Sequence, residues 1–113
     1  MVKINSTKFG EVMIDGKTHY SDVIVFFDGT IEYREKDWVI EEDEFKKIIQ
    51  RNVNIIIVGT GQQGTMSVSD KVRELANYMK IKIVEMKTPY AIELFNAYAS
   101  QHRTVAAVLH TTG

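Results

Sequence analysis

Three stretches of the chain set apolar residues side by side without polar alternation: Val23-Ile24-Val25-Phe26-Phe27, Ile55-Ile56-Ile57-Val58 and Val105-Ala106-Ala107-Val108-Leu109. Read as strands, such runs carry apolar side chains on both faces, so each has to be covered from two sides. Ile55 to Val58 is the expected central strand. Ile31-Glu32-Tyr33-Arg34 alternates instead and should leave one face to water. Asp15-Gly16 lies between Phe9–Ile14 and Thr18–Tyr20, and Asp28-Gly29 between Val23–Phe27 and Ile31–Arg34. Asp-Gly is a pair that favours the type I′ turn, so two hairpins are expected in the first third of the chain.

From Glu41 the apolar period lengthens. Phe45, Ile48 and Ile49 share a helical face, with Glu41, Glu42, Asp43 and Glu44 at the start and Lys46, Lys47 and Arg51 toward an end near Asn52. That charge order suits the helix macrodipole. A helix fans successive carboxylates about 100° apart, so this acidic run reads as a solvated helix start and not as a cation site. Val68, Val72, Leu75, Ala76 and Met79 form a second stripe, with Ser67 or Ser69 as N-cap and an end near Lys80. Ile81 to Met86 reads as a strand. Thr88-Pro89 then offers an N-cap followed by proline at the first helical position, and Ala91, Leu94, Phe95 and Tyr98 form a third stripe that stops near Gln101.

The order β-α-β-α-β from Val53 onward, with short links, requires parallel strands and right-handed crossovers. The expected architecture is therefore α/β, with a compact mixed sheet: N-terminal β-hairpins plus a C-terminal βαβαβ three-layer unit, in a single domain over residues 1–113. If the first parallel strand lies in the middle, the loop after it falls beside the end of the last strand, at a topological switch point.

Charge and composition narrow the partners. The formal net charge is -1, with Lys and Arg dispersed along the chain. Neither nucleic acid nor a membrane surface is an expected partner. There is no cysteine, which excludes disulfides, thiolate chemistry and cysteine-bound zinc. No apolar run approaches about 18 residues, and Met1-Val2-Lys3-Ile4 opens no signal peptide, so a cytoplasmic protein is expected.

Candidate chemistry gathers after the central strand. Gly59-Thr60-Gly61-Gln62-Gln63-Gly64 has the Gly-x-Gly-x-x-Gly spacing of dinucleotide sites, and Glu85 follows at the distance of a ribose-binding acid. Thr65-Met66-Ser67-Val68-Ser69, however, delays the helix whose N-terminal amides such a site needs. No Gly-Lys-Ser/Thr makes it a P-loop. Two readings stay open: a turn that needs positive φ or tight packing, and a cradle for a small anion or nucleotide. On the second reading the ligand-binding residues are Gly59, Thr60, Gly61, Gln62, Gln63, Gly64, Lys87, Thr88 and His110, with His110 either facing Gln62 and Gln63 or standing in solvent. His19, His102 and His110 lack the spacing of a helical metal site, so no metal and no cofactor is expected. Ser67 and Ser69 sit in no nucleophile elbow, and Arg103 reads as structural. With no catalytic constellation, the expected role is non-enzymatic.

Ile56-Ile57-Val58-Gly59-Thr60-Gly61, then Thr88-x-x-Ala91 with Asn96, then Arg103-Thr104-Val105-Ala106-Ala107-Val108-Leu109 together resemble a small family of domains of unknown function. It is the family of the adipogenesis-associated Mth-type domain protein and the third assembly factor of mitochondrial respiratory complex I. The resemblance implies a compact mixed α/β fold and a role in protein interaction or complex assembly, with an unidentified protein partner. It supplies no catalytic residue. Where many relatives carry Ala-Cys and then Tyr-Asn on the third helix, this chain has Ala91-Ile92 and Phe95-Asn96, so no thiol comes with it.

Overall fold

The computed structural model describes residues 1–113. The three apolar runs lie where double burial requires, in a five-stranded sheet. Its strands are β4 (Val23–Phe26), β5 (Ile31–Tyr33), β7 (Ile55–Gly59), β9 (Lys82–Met86) and β10 (Val105–Leu109), in the spatial order β5-β4-β10-β7-β9. β7, β9 and β10 are parallel with β7 in the middle of the three, but β4 adds antiparallel to β10, so β10 and not the expected Ile55–Val58 strand is the centre of the sheet. Alternation then divides the core. Val23, Val25, Ile55, Ile57, Val105, Ala107 and Leu109 enter one buried cluster. Ile24, Phe26, Ile56, Val58, Ala106 and Val108 enter the other.

The first cluster is roofed by α3 (Thr88–Ser100) and by a separate three-stranded sheet of β1 (Ile4–Lys8), β2 (Glu11–Ile14) and β3 (Lys17–His19). The second is covered by α1 (Glu42–Ile49) and α2 (Asp70–Met79). The expected α/β architecture of hairpins plus a βαβαβ unit is the one found. No helix is long and apolar enough to cross a membrane.

Several local expectations are corrected. β1 pairs with β2 through a bulge and turns the first hairpin into a three-stranded sheet; its run Ile4-Asn5-Ser6-Thr7-Lys8 is too polar for hydrophobic patterning to reveal. Asp15 and Gly16 both take positive φ, +48° and +81°, as a type I′ turn requires. At Asp28-Gly29 only Gly29 does. There the Gly29 amide donates to Phe26 O and the Phe26 amide to Thr30 O, which makes a three-residue loop with glycine at its left-handed position. β6 (Val39–Ile40) and β8 (Ser67–Val68) form a two-stranded parallel pair too short to read from sequence. Ser69 is the N-cap of α2, accepting from the Val72 amide, and Lys80 closes that helix at φ +60°. Thr88 does not cap α3. It stands inside the helix after Lys87, and its hydroxyl bonds elsewhere.

Candidate functional site

The carboxyl ends of β7, β9 and β10 meet as expected, and Gly59 to Gly64 leaves the sheet there. Gly59 has ordinary φ; a Cβ on it would lie 2.9 Å from Thr88 Oγ1 and 3.2 Å from Thr88 Cα, so close approach of α3 is what requires glycine. Gly61 has φ +109°, and a Cβ there would run into the backbone of Thr112 and Gly113.

The loop's amides are already engaged, that of Gly64 excepted. Thr60 N donates to Met86 O (2.9 Å), Gln62 N to Thr112 O (3.0 Å), Gln63 N to Gly113 O (2.9 Å) and Thr65 N to Gly113 O (3.2 Å). Gly61 N donates to Thr88 Oγ1 (2.9 Å), and that hydroxyl donates to His110 O (2.6 Å). Thr88 is buried, so one hydroxyl seals the strand ends together. The Gln62 side chain turns to Thr7 Oγ1 (3.2 Å), while Gln63, Gly64 and Lys87 stay exposed.

The ring of His110 is not part of this edge. Side chains alternate along a strand, and with Leu109 in the α3 cluster the next side chain projects to the opposite face. His110 is 0% exposed, which replaces both expectations for it, solvent and the Gln62-Gln63 crevice. Its Nδ1 pairs with Asp22 Oδ2 at 2.7 Å, and Trp38 closes over it edge-on with ring centroids 5.7 Å apart. Asp22 Oδ1 accepts from Thr111 N (2.9 Å) and Thr111 Oγ1 (3.1 Å). Arg34 Nη1 approaches Asp22 Oδ2 at 3.4 Å, and the same guanidinium makes a bidentate pair with Glu44, Nε–Oε2 2.7 Å and Nη2–Oε1 2.8 Å. Burial pulls the Arg34 pKa down, but the Glu44 hydrogen bond and charge, and then the Asp22 charge, carry it above its ordinary value, so Arg34 stays cationic. His110 Nε2 lies 3.5 Å from Thr112 Oγ1, which accepts from Lys36 Nζ at 2.9 Å.

Asp22, Arg34 and Glu44 escaped sequence reasoning because nothing in their local pattern marks them. An Asp–His pair with a hydroxyl beyond it has the order of groups of a general base and nucleophile. Here the ring is shut from solvent, and the network ties β4, β10, the end of β5 and α1 together.

An open concavity lies elsewhere, between β5 and α1, with a volume of about 570 Å³ and Ile24 and Ile48 in its lining. Glu32, Glu35, Asp37, Glu41, Asp43 and Glu44 line it against Arg34 and Lys47. At its rim Tyr33 is 65% exposed, and Trp38, between the lining residues Asp37 and Val39, is 47% exposed. Behind Tyr33, His19 Nδ1 bonds the phenol oxygen at 2.9 Å, while the buried Nε2 has no partner. Desolvation, and then the charge of Lys17, hold the His19 pKa below its ordinary value. No group of three or more acidic, histidine or cysteine side chains is placed to hold a metal ion.

A family model described as "Protein of unknown function (DUF498/DUF598)" matches residues 4–110. A conserved hypothetical protein from Pyrococcus horikoshii has the same fold at TM-score 0.87 and 25% identity, covering 98% of this chain and 99% of that one. A protein titled MT938 superposes at TM-score 0.84 and 24% identity over the full length of both chains. A Bordetella pertussis protein described as a Mth938-like domain superposes at TM-score 0.67 and 14% identity, covering 98% of this chain and 86% of that one. The chain belongs to the DUF498/DUF598 family and has the Mth938-like fold.

Proposed function

We propose that this family member works by holding another protein, without chemistry of its own, as a helper in assembling larger complexes. One observation carries the reading. The loop best suited to a small ligand spends most of its amides on Thr88, Met86 and the carbonyls of Thr112 and Gly113, whereas Trp38 stays exposed beside an open groove and Tyr33 stays exposed on the other face of the same edge strand. Exposed aromatic side chains next to a concave surface are the common anchors of protein interfaces. A small anion or nucleotide at Gly59 to Gly64 would first have to displace residues 112–113. The resemblance to a family that contains an assembly factor suggests the kind of task.

A photo-crosslinking amino acid at the position of Glu35, compared with one at Tyr78, tests this in living cells. Tyr78 is 87% exposed on α2. A discrete protein adduct from position 35 and none from position 78 is expected. Equal labelling from both positions, or none from either, would remove the interaction reading.

A further inference from the structure

The five-stranded sheet ends on one side at β5, whose outer side has no neighbouring strand. The ladder with β4 decides which backbone groups look outward. Phe26 N donates to Thr30 O and Arg34 N donates to Asp22 O, so the even-numbered residues face β4. By the alternation of an antiparallel pair, the N–H and C=O groups of Ile31 and Tyr33 point away from the sheet. Free edges are blunted by shortness, charge, proline or a bulge; β5 is short and carries Glu32, but Ile31-Glu32-Tyr33 has neither lysine nor proline nor a bulge to bar a strand of opposite charge.

Side-chain direction adds the chemistry. Glu32 is the Cα partner of Ile24, which belongs to the cluster under α1, so Glu32 lies on the groove side of the sheet. Beyond it Glu35, Asp37, Glu41 and Asp43 make no ion pair within the chain, and Lys47 is the one lining cation without a carboxylate partner. The whole chain carries only -1. Unneutralised negative charge is therefore concentrated along this edge, where it steers and selects a partner of opposite sign.

We propose that β5 is a docking strand for an extended, basic segment of a partner protein, which adds as a sixth strand and lays alternate Lys or Arg side chains into the acidic groove beside α1. The proposal rests on the protein-interaction reading above and names the partner's chemistry. Main-chain bonds to Ile31 and Tyr33 supply the register, and the side-chain period of two brings every second residue of the segment over the carboxylates. β5 offers only those two residues as rungs, so charge has to provide much of the affinity. A second copy of this chain would bring the same carboxylates to the same edge, and like-charge opposition excludes it as the occupant.

The test is an NMR titration of the labelled protein with a peptide alternating lysine and valine over about seven residues. A peptide of the same composition with all lysines first serves as comparison. Saturable shifts at the Ile31 and Tyr33 amides are expected, with the block peptide at least about tenfold weaker and the alternating peptide weakening as salt rises. Tyr33→Pro removes an outward N–H that the ladder does not use, and should abolish binding, while Tyr33→Ala, which keeps that N–H and loses only the ring, should weaken it far less. Glu35→Lys with Glu41→Lys should abolish it as well. Equal binding of the two peptides, or undiminished binding to the proline variant, overturns strand addition. A concentration-dependent dimer that the proline variant loses overturns it in favour of self-pairing. Adducts from position 35 without any peptide binding remove the basic-strand proposal and leave the interaction reading standing; loss of both signals removes both.

Discussion

The carboxyl edge of the parallel strands and the groove beside β5 are the two places where this fold gathers polar groups, and they are built in opposite ways. At the edge, loop amides, the Thr88 hydroxyl and the carbonyls of residues 110–113 satisfy one another. In the groove, four carboxylates make no ion pair and the edge strand β5 has no neighbour on its outer side. A site that completes itself is structural, and one left incomplete is available. The Asp22–Arg34–Glu44 network forms the wall between them, since Arg34 lines the groove while its partner Asp22 holds His110 behind it.

Breaking that wall should have the largest effect. Asp22→Ala leaves Arg34 short of a partner and strands the His110 ring and Thr111, all buried. Removal of one member of a buried charged network costs about 3–5 kcal/mol. The urea midpoint should fall accordingly, and a loss below about 1 kcal/mol would mean that the network does not hold the sheet to α1.

A smaller loss is expected at the sealed edge. Gly61→Val puts a β-branched residue at φ +109° against the backbone of Thr112 and Gly113. Strain of about 1–3 kcal/mol is expected. Equal stability of the variant and the parent in urea would show that residues 112–113 do not fill the loop. In the parent, phosphate titrated by NMR should then produce no saturable shifts at Gly59 to Gly64.

The pH dependence is smaller still and belongs to the far face of β5, where β3 packs on Tyr33. Burial, and then Lys17, lower the His19 pKa below the ordinary 6.5 in the folded chain. The unfolded chain binds the proton first as pH falls. Its contribution to stability is therefore complete above about 6.5 and declines as pH drops from there through the folded-state value. Thermal midpoints between about pH 7.5 and 5.5 should show the decline, and His19→Phe should flatten it. The same slope in both proteins would assign it to other groups.

Least affected should be the stability of Glu35→Lys, within about 0.5 kcal/mol of the parent by thermal melting, because Glu35 is exposed and makes no ion pair. A marked loss would make the groove's charge part of the fold, and the contrast between the two regions would fail.

The sealed edge was largely legible and the groove was not. Long apolar runs announced β4, β7 and β10, because double burial leaves no room for polar alternation, and the order of elements after Val53 placed Gly59 to Gly64 at the strand ends. What filled that loop was invisible, since a backbone carbonyl has no residue signature. The groove depended on one turn. A two-residue loop at Asp28-Gly29 would set Asp22 opposite Glu35, whereas the three-residue loop found there sets it opposite Arg34. That slip of one residue creates the buried pair and leaves Glu35 outside with the other unmatched acids. His110 failed for a related reason: strand alternation at Leu109 had to be carried one residue further to send the ring to the α1 face.

Asn96 joins parts that would otherwise share little. Its side-chain carbonyl accepts from Ile4 N at 2.9 Å and its amide donates to Ile4 O at 2.7 Å, so a helix offers β1 the donor and acceptor of a neighbouring strand. β1, β2 and β3 have no ladder to the five-stranded sheet. They adhere through this carboxamide, the Gly10 N–Thr111 O bond, the Gln62 contact to Thr7, the His19–Tyr33 bond from β3 to β5 and the packing of Val2, Ile4, Val12 and Ile14. The three strands thus constitute a separable cooperative unit. Amides of Val12 and Met13 should exchange with solvent together, through an opening less costly than the global unfolding that releases Ile57 and Ala107. When such a unit lifts from α3 it releases Tyr33 of β5 from His19, while the groove's α1 side keeps its own cluster.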